Sequence, residues 1–178
     1  NAGLAVAGIK AAGIELDDET LSAGLENASW PARMQRLKQG PIVDYVREHC
    51  AGAPEVWLDG GHNPHAARAI ASAIADLEEK APRPLVLISG MQETKDHEGF
   101  FSAFSGIAAA AFTVRADHDG AAPAEFVAAA AERADIPAAP CATFNDALRQ
   151  AVGNGRTPLR ILICGSLYLA GEVLAENS

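Results

Sequence analysis

The chain has 178 residues, 49% hydrophobic but only 6% aromatic, which suits one α/β domain with a small appendage and a core of closely packed small side chains. A formal net charge of −9 works against nucleic acid, whose phosphates call for clustered Lys and Arg, and against an anionic membrane surface. No apolar run approaches the roughly 18 residues of a membrane span, and no secretory leader is visible, so a cytoplasmic setting is expected.

The first segment, Ala2–Ala12, is alanine-rich with a helical pattern, and Gly13 suits its C-terminal cap. Asp17, Asp18 and Glu19 place acids at the start of a second helix running to about Asn27. These helices have no strand of their own, and the chain starts at Asn1 rather than methionine, so residues 1–29 read as the helical tail of a preceding domain. Residues 30–41 read as a linker, because Pro31, Gly40 and Pro41 interrupt regular structure and Arg33, Arg36 and Lys38 gather positive charge.

From Ile42 onward, residues 42–178 read as one domain of alternating strands and helices. Strands are expected at Glu55–Asp59, Pro84–Ser89, Ala111–Arg115 and Arg160–Cys164, with a short edge strand at Cys141–Ala142. Helices are expected at Pro64–Glu79, Glu98–Gly106, Pro123–Ala134, Thr143–Val152 and Ser166–Glu176. Asp146 stands three residues after Thr143, in capping-box-like spacing. Strands each followed by a helix imply a doubly wound, mostly parallel sheet with helices on both faces. Cys50, Cys141 and Cys164 are scattered and lack CxxC spacing, as suits reduced thiols.

In such sheets ligands gather where strands end and helices begin. At Leu58–His65 (LDGGHNPH), Asp59 closes a strand, Gly60 and Gly61 permit close backbone approach, and Asn63 caps the helix that Pro64 opens. A carboxylate and an imidazole thus stand beside an anion-attracting helix N-terminus. The same residues could also do no more than satisfy a tight turn. Lys95, in the loop after the next strand, could meet a phosphate or carboxylate, or simply be solvated. Ser166, after the last strand, could donate to a carboxylate or act as an ordinary N-cap. Asp59, His62 and His65 lack a soft third ligand, so no metal site is expected. Neither G-x-x-x-x-G-K-[ST] nor G-x-G-x-x-G nor G-x-S-x-G occurs.

Four segments in order resemble folylpolyglutamate synthase/dihydrofolate synthase of the Mur ligase superfamily. Asn1-Ala-Gly-Leu-Ala resembles an Asn-Ala helix start late in the central ATPase domain, and Trp30-Pro-Ala-Arg-Met-Gln resembles W-P-G-R-x-Q. Leu58-Asp-Gly-Gly-His-Asn-Pro resembles L-D-G-A-H-N-P, and Gly165-Ser-Leu-Tyr-Leu-Ala-Gly-Glu resembles G-S-L-Y-L-x-G-E. Ala32 stands where glycine is usual, Gly61 where alanine is usual, and Glu93-Thr-Lys-Asp replaces the commoner D-K-D.

The resemblance implies a Rossmann-like C-terminal domain of an ATP-dependent ligase. ATP would convert a carboxylate of dihydropteroate or a folate to an acyl phosphate, which the amine of L-glutamate attacks. It implies ATP contacts at Asn1, Arg33 and Asp59, and glutamate contacts at His62 and Ser166. It also implies Mg²⁺ held by the N-terminal ATPase domain, a monomer, and no activity in this piece alone. A cell-wall Mur ligase and a non-catalytic nucleotide-binding or regulatory domain are the alternatives.

Overall fold

The computed structural model describes residues 2–28, 30–153 and 157–177, in two compact units divided after Pro31. The first unit holds α1 (Ala2–Ala11) and α2 (Asp18–Glu26). Gly13 adopts φ 71° after α1, as its sequence position suggests. The Asp17 carboxylate accepts from Thr20 N at 2.6 Å and caps α2. No residue of α2 is buried, and Leu4, Ile14, Leu16 and Leu25 are exposed.

The second unit holds one six-stranded sheet. Its elements are β1 (Gln35–Leu37), α3 (Pro41–His49), β2 (Glu55–Asp59), α4 (Pro64–Lys80), β3 (Leu85–Ser89), α5 (His97–Phe101), β4 (Ala108–Thr113), α6 (Ala124–Arg133), β5 (Ala138–Pro140), α7 (Phe144–Val152), β6 (Arg160–Cys164) and α8 (Leu167–Glu176). The strand order is β1-β2-β6-β3-β4-β5, parallel except for β1 at one edge.

Four sequence expectations shift. Residues 32–41 are folded rather than linker: Gln35–Leu37 pairs with Val56–Leu58, Leu37 is buried, and Gly40-Pro41 opens α3. The breaker residues therefore bracket a strand and start a helix, with Gly40 at φ 104° as N-cap and Pro41 at the first helical position. The third parallel strand begins at Ala108, and the edge strand falls at Ala138–Pro140, where Ala111–Thr113 can pair with it. The helix expected to reach Gly106 ends at Phe101, continues as a 3₁₀ turn through Phe104, and stops before Gly106, at φ 71°.

The alternation of the strands divides the interior. Val56, Leu58, Ile88, Ile161 and Ile163 pack with α3, α7 and α8, whereas Leu85, Leu87, Leu162 and Cys164 pack with α4, α5 and α6. β3 and β6 are buried along their full length, as parallel strands covered on both faces must be.

That layering positions the site. The helices that follow β2 and β3 lie on one face, while the helix that follows the intervening β6 lies on the other. Diverging connections open a crevice on each side of β6 at the carboxyl ends of the strands. There Asp59, Cys164, Ser89 and Thr113 stand side by side in register. Among the described residues, no helix is long and apolar enough to cross a membrane.

Candidate functional site

The turn after β2 is held from both sides by its own backbone. Gly60 N donates to Ala32 O at 2.9 Å, and Gly165 N donates to Gly61 O at 3.0 Å. Gly60 lies between Arg33 and Leu167: a Cβ there would stand 2.3 Å from Leu167 Cδ2 and 3.2 Å from Arg33 Nη1. A side chain at this position would have to displace Leu167 and crowd Arg33, where the β2 turn, the Arg33 segment and the start of α8 come together. Gly165 serves β6 similarly, with φ 99° and a would-be Cβ 2.6 Å from Ser89 Oγ.

Asp59 is buried, and both carboxylate oxygens are taken. Oδ1 accepts from Gly61 N and Oδ2 from Met34 N, each at 2.7 Å. The second bond fixes the segment that carries Arg33. That segment runs through left-handed backbone at Ala32 (φ 53°) and Met34 (φ 38°), which non-glycine residues rarely adopt. The Arg33 guanidinium donates from Nη1 to Ala32 O at 2.9 Å, and has no carboxylate partner among the described residues.

His62 Nδ1 lies 3.0 Å from Gly60 O. A carbonyl only accepts, so Nδ1 carries the hydrogen, and in the neutral imidazole Nε2 has the lone pair. Ser166 is the buried N-cap of α8, with Oγ accepting from Tyr168 N at 3.1 Å. Its hydroxyl hydrogen is still available to an acceptor.

These residues line two adjoining clefts. One, of about 360 Å³, is lined by Arg33, Met34, Asp59, Gly60, His62 and the first turns of α4. The other, of about 60 Å³, lies between His62, Gln92, Gly165, Ser166 and Tyr168. His62 borders both. Lys95 is half-buried in the β3–α5 loop and lines neither. Asn1 lies outside the described residues. Gln92 and Tyr168 were not singled out as site residues in the sequence; Tyr168 could have been, because it follows Ser166 by two positions at a helix start.

Among the described residues, no group of three or more His, Cys, Asp or Glu is placed to hold a metal. The chemistry of the clefts points the same way for Mg²⁺. Asp59 is the only carboxylate lining either, and both its oxygens face backbone N–H donors.

Residues 33–167 match the family described as Mur ligase, glutamate ligase domain. The chain belongs to this Mur ligase family. The Haloferax volcanii "Probable bifunctional folylpolyglutamate synthase/dihydropteroate synthase" is 28% identical over 173 residues, 97% of this chain and 19% of the relative. The Haemophilus influenzae "Dihydrofolate synthase/folylpolyglutamate synthase" is 26% identical over 104 residues, 57% of this chain and 24% of the relative. A bifunctional folylpolyglutamate synthase/dihydrofolate synthase solved with Mn, AMPPNP and L-glutamate bound superposes with TM-score 0.70 at 25% identity, covering 90% of this chain and 35% of that one. E. coli FolC in complex with DHPP and ADP superposes with TM-score 0.74 at 20% identity, covering 98% and 37%, a likeness of fold. The chain thus spans a fifth to a quarter of those two sequence relatives and just over a third of those two solved chains.

The three thiols of this Mur ligase domain are free and buried. Burial pushes each above its ordinary value; at Cys141 the nearby Asp146 charge adds to this, and at Cys164 the Asp59 charge does. The thiolate is the reactive form. The native protein near neutral pH should therefore consume almost no thiol-specific reagent until it is unfolded, with Cys164 slowest. Rapid titration of native Cys164 would contradict this.

Proposed function

We propose that this chain is the C-terminal part of an ATP-dependent ligase that joins L-glutamate to dihydropteroate, to folylpolyglutamates, or to both. The observation that carries the reading is the pair of clefts meeting at His62: a guanidinium stands over one, and a buried hydroxyl opens into the other. The first suits a phosphate and the second a carboxylate. The relatives' names and the ligands in the solved relatives support the assignment.

In this reading Arg33 pairs with ATP phosphate oxygens, using the N–H groups left after Nη1 bonds Ala32 O. Asp59 serves ATP indirectly, by holding Met34 and hence Arg33 in place. Ser166 donates its hydroxyl to a carboxylate of the incoming glutamate. His62, with Nδ1–H anchored on Gly60, presents Nε2 to the attacking amine of that glutamate. Phosphate activation and Mg²⁺ binding belong to the protein's own N-terminal ATPase domain, a reading supported by the lack of a P-loop motif in this sequence and of a fitting carboxylate set among the described residues. The whole ligase acts as a cytoplasmic monomer, a setting that the free thiols support. This piece alone is inactive.

Replacing Arg33 with alanine in the ligase carrying this domain should raise KM for ATP by about 10- to 100-fold, as expected for one charge-assisted contact of about 1.5–3 kcal/mol. KM for L-glutamate should stay close to that of the unaltered enzyme. Steady-state kinetics with each substrate varied checks both, and an unchanged KM for ATP would remove Arg33 from the site.

A further inference from the structure

Gln92 lies on the lip of the small cleft opposite Ser166, and its position is fixed at several points. Its main-chain oxygen accepts from His97 Nε2 at 2.8 Å and from Lys95 N at 3.1 Å. It also pairs with Ala121 in an isolated antiparallel bridge, flanked by bonds from Ala122 N to Met91 O and from Glu93 N to Gly120 O. The loops after β3 and β4 are thereby zipped together beside β6.

The Gln92 side chain is held as well. Its Nε2 lies 3.2 Å from His118 Nε2. An amide nitrogen only donates, so His118 Nε2 accepts and the ring hydrogen lies on Nδ1. The His118 ring stacks on Tyr168, with centroids 3.8 Å apart and planes within 18°. Asp117 N donates to Glu172 Oε1 at 2.8 Å, tying the same loop to α8. The Gln92 amide nitrogen and the His118 acceptor satisfy each other. One N–H goes to the imidazole, and the second remains as a donor beside the cleft.

A cleft of about 60 Å³ holds one polar group of a ligand rather than a whole molecule. Its walls offer the Ser166 hydroxyl and the Gln92 amide as donors, and no carboxylate lines it. That set fits a carboxylate.

We propose that Gln92 is a substrate-binding residue that donates its second amide N–H to the same carboxylate of the incoming amino acid as Ser166, and that His118 is the positioning residue that keeps the amide nitrogen turned toward it. The proposal rests on reading the Ser166 cleft as the amino-acid subsite.

The test is steady-state kinetics of the full ligase, with L-glutamate varied at saturating ATP and the reverse. Gln92→Ala should raise KM for L-glutamate by about tenfold and leave KM for ATP unchanged. Gln92→Glu keeps the shape but sets an anion against the carboxylate, and should raise it further. His118→Phe keeps a ring on Tyr168 while removing the acceptor; it should raise KM for L-glutamate, and adding Gln92→Ala should then have little further effect. If Gln92→Ala is silent while Ser166→Ala raises KM for L-glutamate, the proposal fails and the subsite reading stands. If both are silent, the subsite reading fails too. Additive effects of the Gln92 and His118 changes would overturn the positioning role.

Discussion

Replacing Asp59 with alanine should destabilise the domain by about 3–5 kcal/mol and weaken ATP use as strongly as losing Arg33. Two charge-assisted bonds, each contributing about 1.5–3 kcal/mol, disappear, and the amides of Gly61 and Met34 lose their acceptor. The Met34 bond also restrains the left-handed backbone at residues 32–34, so Arg33 loses its platform along with the turn. Asp59→Asn should fall between the two, because its amide keeps one oxygen but turns an NH₂ toward the other backbone donor. Urea unfolding and ATP kinetics of the same protein separate the contributions. A loss of stability below about 1 kcal/mol with undiminished damage to ATP use would mean that Asp59 touches nucleotide directly.

The parts of the fold that were legible in the sequence are those whose signals are local. Glu55–Asp59 and Arg160–Cys164 are legible to the residue because short apolar runs end at Gly60 and Gly165, and α4, α7 and α8 to within one residue at each end because Asn63, Thr143 and Ser166 cap them through their own side chains. β1 was hidden because three residues, Gln-Arg-Leu, carry no period and become a strand only by pairing with β2. α3 was passed over because its breakers, Gly40 and Pro41, resemble a linker until they are seen as an N-cap and first turn. The site divides in the same way. Arg33, Asp59, His62 and Ser166 sit in glycine-flanked or junction segments that attract notice, whereas Gln92 and His118 are 26 positions apart and meet only because two loops are zipped. No spacing rule reports that contact. One Asp59 oxygen satisfies the turn through Gly61 N while the other holds Met34 N beside Arg33, so a structural role does not compete with the proposed one.

The amino ends of the same strands hold a different polar cluster, and there an effect on stability of the same size is expected. Arg160 is fully buried; its Nε donates to Glu55 Oε2 at 3.1 Å, its Nη1 to Glu78 Oε2 at 2.8 Å, and its Nη2 to the carbonyls of Ala81 and Leu77. Glu55 also meets Arg36 at 3.2 Å, Arg83 at 3.6 Å and the Trp57 indole at 3.1 Å. Glu78 is 45% exposed, so Glu55 is the buried counter-charge on which Arg160 depends. Glu55→Ala leaves that guanidinium largely uncompensated in the core and should cost about 3–5 kcal/mol. Burial alone would push the Glu55 carboxyl up, but the bonds from Trp57 and Arg160 and the charges of Arg36 and Arg160 outweigh it and hold it below the ordinary 4.5. A carboxyl lowered on folding stabilises the native state in full above its unfolded value, and that contribution is lost as pH falls through the folded value. Stability should therefore decline with acid below about pH 4.5, and Glu55→Gln should flatten that acid limb while lowering the plateau above it. Urea midpoints measured from pH 3 to pH 7 read both effects. An acid limb of equal slope in the Glu55→Gln protein would assign the titration to other carboxylates.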